Sequence, residues 1–518
     1  MTLDIGDMEV DMSEKYLIGI DIGTQGTKTT LFSVEGRRIA DAFEQSNLIK
    51  PSQGAVEQKP DEIYSSVLNT IKEVMLRSGA DPGDVLGIGM DGQMAGILGI
   101  DAEWNAVTPY DSWLDTRCEK YIRMIKDEAE DLVVSITGCP VTYAHGPKIL
   151  WWKHERPEVY KKISKFIMPV TYVAGRLTGL KASQAYIDNT HLHFSGFGDV
   201  NRNCWSDELL DMFDVDKGKL PDIVEPVKVI GCLKREAASK CGLLAGIPVV
   251  AGCGDQSATS LGAGVTRKGI SFDVAGTASV FSCCVDSFNP DVRHKTLLYA
   301  RSVIPGLWIP MAYINGGGLC IRWFRENLTG REKPMSYQEL DEEASGLPAG
   351  SEGLLFLPHF GGRVCPNNPD VRGTWIGLNW GHGRGHMYRA ILEGIAYEYA
   401  VYMKILKELV GDVSFSEVLA IGGGARSRVF NSIKADVLGI PYATMANSDT
   451  ATFGSAIVAG YGVKVYNDFE QPLKQQNFHL DNISFDEGRH KEYGRYTEMY
   501  GRLFGELGDT FHQLNEMR

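Results

Sequence analysis

The feature that most constrains this chain is a strand-turn-strand signature that occurs twice, about half the chain apart. Tyr16 to Ile22 is an apolar, β-branched run that closes in Asp21-Ile22-Gly23-Thr24, and Ile270 to Val274 closes in Asp273-Val274-Ala275-Gly276-Thr277. Each is followed by a second apolar strand, Thr29 to Val34 in the first copy and a run through Val285 in the second; a third strand toward Phe43 follows Glu35-Gly36. A repeat at that spacing predicts two related domains whose hairpin turns point into one cleft. Between the copies, Asp61 to Arg77 has helical periodicity, and Val85 to Met90 and Ile247 to Ala251 read as buried strands. Strand and helix alternate, which makes this an α/β protein. In the second half, Tyr388 to Leu406 predicts a long amphipathic helix, Val418 to Ile421 a strand, and Arg428 to Leu438 another helix. Tyr493 to Leu514 predicts a closing surface helix. The expected division is an extension over 1–15, an N-terminal domain over 16–262 and a C-terminal domain over 263–518. No low-complexity linker separates the halves, which favours a packed body with a hinge.

Glycine is the compositional outlier, with 58 among 518 residues where roughly 7% is usual. The excess clusters at 23–26, 252–264, 316–318, 361–362 and 422–424, several of these just after strand-like runs. Turns where backbone approaches a ligand produce that pattern, and so do plain tight turns. With 52 Lys+Arg against 66 Asp+Glu, the net charge of −14 argues against nucleic acid or an anionic membrane as main partner. Small molecules are favoured instead. The first fifteen residues carry Asp4, Asp7, Glu9, Asp11 and Glu14 and show no signal-peptide pattern, and the longest mainly apolar run, Cys241 to Gly254, is too short to span a bilayer. The ten cysteines lack zinc-knuckle or redox spacing, so reduced, mostly buried thiols and a cytoplasmic location are expected. No His-x-x-x-His or His-Glu-x-x-His occurs, which disfavours a zinc hydrolase.

The strongest single motif is Asp21-Ile22-Gly23-Thr24-Gln25-Gly26-Thr27-Lys28. It sets a carboxylate at a strand end before a tight turn of glycines, threonines and a lysine, an inventory suited to polyphosphate. Backbone N–H groups and Thr hydroxyls can donate to phosphate oxygens, Lys28 can neutralise charge, and Asp21 can hold a hydrated Mg²⁺ through water. The turn is neither a Walker A loop nor a dinucleotide turn. Gly276-Thr277 offers the same chemistry from the second half, and Gly422-Gly423-Gly424-Ala425-Arg426-Ser427 opens a helix whose positive end can face a nucleotide. Gly316-Gly317-Gly318 is weaker, since it also suits a helix starting close to a strand. Asp255 follows an apolar strand and two glycines, so its carboxylate is expected at a strand's C-terminal edge, with Gln256 beside it to orient a hydroxyl. There it can accept the proton of an alcohol attacking a γ-phosphorus; a turn-forming role is the competing reading. A polyol pocket is suggested by Gln93 and Met94 after one strand, with Trp113, Asp115 and Arg117 shortly after. The competing reading makes Trp113 a core residue and Asp115 the cap of a helix beginning near Thr116. Tyr143, His145 and Lys148 form a further polar group.

Together these segments resemble the FGGY carbohydrate kinases of the actin-like ATPase fold, and within them the xylulokinase branch, from about Tyr16 to Gly462. Asp21 to Lys28 looks like the first phosphate motif, Gly276-Thr277 like the second, Gly422 to Ser427 like the adenosine motif, and Gly254-Asp255-Gln256 like the catalytic segment. Met90-Asp91-Gly92-Gln93-Met94 and Trp113-Leu114-Asp115-Thr116-Arg117 look like the sugar-site signatures. The resemblance implies two actin-like (ribonuclease H-like) ATPase domains facing a central cleft and phosphorylation of a sugar or polyol hydroxyl by MgATP. It implies Asp255 as base, with Asp21 (through water) and Asp255 toward the metal. Gln93, Met94, Trp113, Asp115, Arg117, Tyr143 and Gln256 would meet the sugar. Gly23, Thr24, Gln25, Thr27, Lys28, Gly276, Thr277, Gly317, Gly423, Gly424, Ala425, Ser427 and Asn431 would meet ATP. Sugar and MgATP are the expected partners, with neither nucleic acid nor membrane, and a homodimer is left open. Two departures stand out. Xylulokinase-like sequences usually carry His where this chain has Ala95, and Asp449-Thr450-Ala451-Thr452-Phe453-Gly454 differs from the usual pattern, which is expected to adjust base or ribose contacts. D-Xylulose is the leading substrate, with ribulose, fuculose, erythritol or glycerol as alternatives. A partner-driven actin-like ATPase and a sugar-responsive binding protein are the other classes.

Overall fold

The computed structural model describes residues 15–330, 332–411, 413–445, 449–474 and 481–517. Nearly all of the 1–15 extension lies outside them. The first half begins with an antiparallel meander, β1 (Tyr16–Ile22), β2 (Gly26–Ser33) and β3 (Arg38–Gln45). Helix α1 (Pro60–Ser78) follows, and then β4 (Val85–Gly92), which pairs parallel with β1. Helices α2 (Glu119–Thr137) and α3 (His145–Glu155) precede β5 (Val229–Cys232) and β6 (Pro248–Val250). The sheet order is β5-β6-β4-β1-β2-β3, with β6 parallel to β4 and β5 antiparallel at the edge. A two-residue strand, Cys253–Gly254, extends along the end of β4 and leads directly into α4 (Asp255–Gly262).

The second half repeats this plan. β7 (Ile270–Ala275) and β8 (Ser279–Cys283) are joined by β9 (Leu298–Arg301) and β10 (Trp308–Ile314), all antiparallel neighbours. After α5 (Gly317–Leu328), α6 (Tyr337–Ser345) and α7 (Arg384–Val410), strand β11 (Glu417–Ile421) pairs parallel with β7. Helix α8 (Arg428–Leu438), β12 (Tyr442–Thr444), α9 (Thr450–Gly462), β13 (Asp481–Ile483), α10 (Glu487–Glu506) and α11 (Gly508–Glu516) complete the chain. The order β9-β10-β8-β7-β11-β12-β13 matches the first sheet strand for strand, apart from β9 added at one edge. The short repeat legible in the sequence is therefore the visible tip of a duplicated sheet.

Local chemistry explains the packing. α1 buries Ile63, Val67, Ile71 and Val74 at helical spacing and ends at Gly79, whose φ of 65° suits a left-handed cap. The hydroxyls of Thr27 and Thr29 on β2 meet Ser66 and Thr70 of α1 at 2.7 Å each, so both face the helix. The other face of the first sheet is covered by α9, which comes from the second half of the sequence. Gly19 and Gly89 make this approach feasible: a Cβ at Gly19 would lie 1.8 Å from the carbonyl oxygen of Thr452, and one at Gly89 2.0 Å from that of Ser455. α9 crosses α4 through a second pair of gaps, at Gly454 and Gly262.

Two sequence expectations are corrected here. Segment 449–454, expected to adjust base or ribose contacts, begins the helix lying on the first sheet; its Asp449 pairs with Lys28 and Arg38, and none of its residues lines the glycine-walled cavity of the second half. The expected closing surface helix over Tyr493 to Leu514 is two helices that meet at Leu507, and the first sends Tyr493 and Tyr500 fully into the core. Their hydroxyls meet the buried Glu393 and Glu398 of α7, which an aromatic can do only from inside the protein. All ten cysteines are free and eight are buried. Among the described residues no helix is long and apolar enough to cross a membrane.

Candidate active site

Three carboxylates gather at the C-terminal edge of the first sheet, where parallel strands end and their loops diverge. Asp21 on β1 stands in register with Asp91 on β4, and Cys253, two residues before Asp255, is the next partner of Asp91. Asp91 is fully withdrawn from water, and Asp21 and Asp255 are partly buried. Burial pushes the Asp21 carboxyl up to about 7, with the charge of Asp255 adding to the effect. Burial and the neighbouring Asp21 raise Asp91 well above the carboxylate range. Burial lifts Asp255 to about 6, the N–H of Gln256 and the nearby His191 holding it back. One oxygen each of Asp21 and Asp91 is buried without a partner, while the other oxygen of Asp91 accepts from Ser455 of α9 at 2.6 Å. Such a surplus of desolvated negative charge fits a hydrated divalent cation. Among the described residues no three side chains converge as a chelating set, which matches the Mg²⁺ habit of using one or two carboxylates together with water and phosphate oxygens.

The segments expected at the sugar site meet the Gly23–Gly26 turn through a chain of hydrogen bonds. Trp113 Nε1 donates to Thr24 Oγ1 at 2.9 Å, Thr24 Oγ1 donates to Gln93 Oε1 at 3.3 Å, and Gln93 Nε2 donates to Gln58 Oε1 at 2.7 Å. This fixes the amide of the buried Gln93 and leaves Trp113 37% exposed. Trp113 is thus not a core residue. Met94 packs on Gly254, where a Cβ would come within 2.4 Å of its methyl carbon, so the methionine is seated against the backbone that carries Asp255. Asp115 and Arg117 are occupied with each other. Arg117 pairs with Glu57, Asp111 and Asp115 at 2.7 to 2.8 Å and lies over the Trp151 ring at 4.5 Å, while Asp115 accepts the Val56 N–H. α2 begins only at Glu119 without a side-chain cap, so Asp115 is not its cap either. The hydroxyl of Tyr143 donates to Glu119 of α2. These three residues brace the pocket and do not present free polar groups. Gln256 follows Asp255 in the first turn of α4, partly buried.

The second half contributes a cavity of 960 Å³ whose walls include Gly276, Thr277, Gly318, Gly423, Gly424 and Ser427. The three glycine turns interlock: a Cβ at Gly318 would lie 1.9 Å from the Gly276 carbonyl oxygen, and one at Gly424 2.6 Å from Ala275 Cβ. Gly423 has open space around it. Arg322, Tyr337, Asp341 and Tyr388 form the opposite wall, none of them foreseen from the sequence. Ser427 caps α8 by accepting the Phe430 N–H at 3.0 Å, which presents the helix N-terminus to the cavity.

Several expected ATP contacts have other work. Thr27 is buried against Ser66, Lys28 is engaged by Asp449, and the hydroxyl proton of Thr24 is directed at Gln93. Gly23 donates its N–H to Gly26 within the turn, and Gln25 is exposed at its tip. Gly317 does not line the cavity; a Cβ there would strike Ser279 Oγ at 2.2 Å. Asn431 is buried and donates to the carbonyl of Ala425, so it props the glycine turn from inside, and neither residue lines the cavity. Asp91 was missed as a site residue, although its place at a strand end before glycine copies that of Asp21.

Comparison with known proteins agrees with this geometry. The models of the FGGY family of carbohydrate kinases match at residues 16–262 for the N-terminal domain and 274–463 for the C-terminal domain. The chain is 28% identical to the xylulose kinase of Bacillus subtilis (strain 168) over 466 residues, covering 89% of this chain and 91% of that one. It is equally 28% identical over 466 residues to the gluconokinase of the same organism, covering 88% and 89%. The fold matches the crystal structure of ligand-bound xylulose kinase from Lactobacillus acidophilus with a TM-score of 0.88 at 24% identity, covering 96% of this chain and 100% of that one. With both domain models matched and the two-sheet actin-like architecture in place, this chain belongs to the FGGY family of carbohydrate kinases and is an ATP-dependent sugar kinase.

Proposed function

We propose that this kinase transfers the γ-phosphoryl group of MgATP to a hydroxyl of an uncharged ketopentose, D-xylulose to D-xylulose 5-phosphate being the leading reaction, with Asp255 as general base. The observation that carries the reading is the partly buried Asp255 carboxylate at the first turn of α4, its pKa raised by burial to about 6, with Met94 packed on the preceding Gly254 and Gln256 beside it. At neutral pH it is mainly ionised and able to accept a proton. As the sugar oxygen attacks the γ-phosphorus, its proton passes to Asp255, the new P–O bond forms, and the bond to the β-phosphate oxygen breaks to release ADP. Asp21 and Asp91, with Asp255 beside them, would hold a hydrated Mg²⁺ that neutralises charge on the β- and γ-phosphates. The glycine-lined cavity around Gly276, Gly423 and Ser427 supplies backbone donors for the nucleotide.

An uncharged acceptor is favoured by the charge inventory. Asp91 and Asp111 are buried and Asp21 and Asp255 partly so, the guanidinium of Arg117 is already shared among three carboxylates, and Lys148 is occupied by the carbonyls of Tyr143 and Ala95. A sugar acid would bring another negative charge to this wall. The reading places the enzyme in the cytoplasm, where MgATP is available. Its test is ADP release from MgATP, alone and with D-xylulose, other pentuloses, hexuloses, tetritols, glycerol and D-gluconate. Strong stimulation by one ketopentose supports the proposal. Stimulation by gluconate alone overturns the uncharged-acceptor reading, and steady turnover indifferent to every sugar assigns the chain to the partner-driven ATPases.

A further inference from the structure

Two buried histidines lie near the segment that carries Asp255, each with a ring nitrogen that no described residue satisfies. His191 follows the short strand Tyr186–Asp188, is wholly buried, and directs Nδ1 at the Asp188 carboxylate. The other oxygen of Asp188 takes the N–H and hydroxyl of Thr190, and Thr190 Oγ1 accepts the N–H of Gly254 at 2.9 Å, one residue before Asp255. The 188–191 turn is thereby stapled to the catalytic segment. His145 is the first residue of α3, also buried; one turn later Lys148 reaches the carbonyl of Ala95. Among the described residues the Nε2 atoms of His145 and His191 have no hydrogen-bond partner. Gly146, the next residue of α3, packs on the turn that follows His191, where a Cβ would lie 3.0 Å from the Ser195 carbonyl oxygen, so the two histidines share one neighbourhood.

Buried polar atoms are normally paired, because an unmet donor or acceptor loses its water for nothing. Asp188 engages Nδ1 of His191, which leaves Nε2 as the ring atom available to a further hydrogen-bond partner. Burial holds His145 in its neutral form, with one nitrogen donating and the other accepting. Hydroxyls of a sugar chain both donate and accept, and they complement this pair better than a charged group does.

We infer that His145 and His191 form a hydroxyl-reading wall of the acceptor site, contacting sugar hydroxyls other than the one phosphorylated and so setting which sugar is accepted. The inference rests on the sugar-kinase reading above and names the residues that would discriminate among its substrates. Asp188 is a positioning residue in this scheme, since it acts through His191.

The test compares wild type with His145→Leu and His191→Phe in steady-state kinetics against the sugar that best stimulates wild type, alongside a deoxy analogue of that sugar. Each variant is expected to raise KM for the sugar about tenfold, the scale of one lost hydrogen bond in a buried site. KM for MgATP should stay within about twofold, and the penalty should shrink for the deoxy analogue lacking the hydroxyl that is read. A sugar KM unchanged in both folded variants, or an equal loss on every sugar and analogue, overturns the inference. Should either variant fail to fold, Asp188→Asn keeps the packing while loosening the ring, and an unchanged sugar KM there overturns the role of His191. If wild type responds to no sugar, the kinase reading falls and this inference with it; if wild type responds and the variants match it, only the histidine wall falls.

Discussion

The two halves place an aspartate near the end of the equivalent strand, two residues before the turn glycine in one and three in the other, and treat it in opposite ways. In the first half Asp21 faces Asp91 across β1 and β4, no basic side chain makes an ion pair with it among the described residues, and one of its oxygens is buried without a partner. In the second half Asp273 lies one residue farther from the end of β7, its register partner on β11 is Ala420, and it is matched by the ammonium of Lys434 from α8 and the hydroxyl of Tyr399 from α7. One fold thus carries a frustrated carboxylate and a satisfied one. Leaving charge uncompensated costs stability, so it persists where a ligand completes it. The repeat was inherited by both sheets; the chemistry was kept in one.

Breaking the first half at its chemical centre gives the largest expected effect. Asp255→Asn should lower sugar-dependent turnover by about 10² to 10⁴, the scale of a general base, while nucleotide binding measured by calorimetry is retained. Near wild-type turnover would remove Asp255 from that role. The comparison itself is sharpened by making the same substitution at both strand-end aspartates. Asp273→Asn strands the buried Lys434 ammonium and should destabilise the protein by about 3–5 kcal/mol in denaturant unfolding. Asp21→Asn removes an unpaired buried charge and should leave stability within about 1 kcal/mol of wild type or raise it, while depressing turnover. Equal destabilisation by both would show that the halves are electrostatically alike after all.

A smaller effect is expected at Ala95, whose φ of 63° is a left-handed conformation that histidine tolerates better than most residues. Ala95→His should fold and shift the relative kcat/KM among ketoses severalfold in a substrate panel. An unchanged profile would take Ala95 out of the specificity argument.

The smallest effect is a pH dependence of opposite sign in the two halves. Arg363 and His359 hold the buried Glu398 of α7 down to about 2 against an ordinary 4.5. A depressed carboxylate stabilises the folded state above its unfolded value, and that contribution fades as pH falls from about 4.5 toward 2. Asp21 and Asp111, both pushed up to about 7 by burial, act in reverse. Their penalty is absent below the ordinary carboxylate range and grows as pH rises toward 7. In metal-free buffer, lowering the pH from 7 to 5 should therefore increase amide protection in β1 and β4 relative to β7 and β11, once the exchange rates are corrected for intrinsic chemistry. Parallel changes in both sheets would contradict the assignment.

Much of the fold was legible because its signals are local. Apolar runs with β-branching gave β1, β4, β7 and β11 within a residue or two, and i, i+4 periodicity gave α1 and α8. The paired Gly-Thr turns announced the duplication. The helix pair that ends the chain was misjudged because its tyrosines are buried through their rings and satisfied through hydroxyls, a combination that reads as surface polarity in sequence. At the site, Asp255, Gln93 and the glycine turns could be picked out from their place after strands. Asp115, Arg117 and Asn431 could not be told from ligand-binding residues, since the same polar groups serve equally to brace a neighbouring loop.

By itself the sequence determined two α/β sheets with strand-end carboxylates, glycine turns and a sugar-kinase signature, because strand pattern, turn chemistry and motif spacing are written in neighbouring residues. Tertiary structure alone decided that α9 crosses back onto the first sheet through Gly19 and Gly89, that Lys28 is taken by Asp449, and that the turn carrying His191 is tied through Thr190 to Gly254 beside Asp255. Those outcomes depend on groups brought together from distant parts of the chain. Whether a buried charge or ring nitrogen is satisfied is a property of what surrounds it in space, and a linear order does not record that.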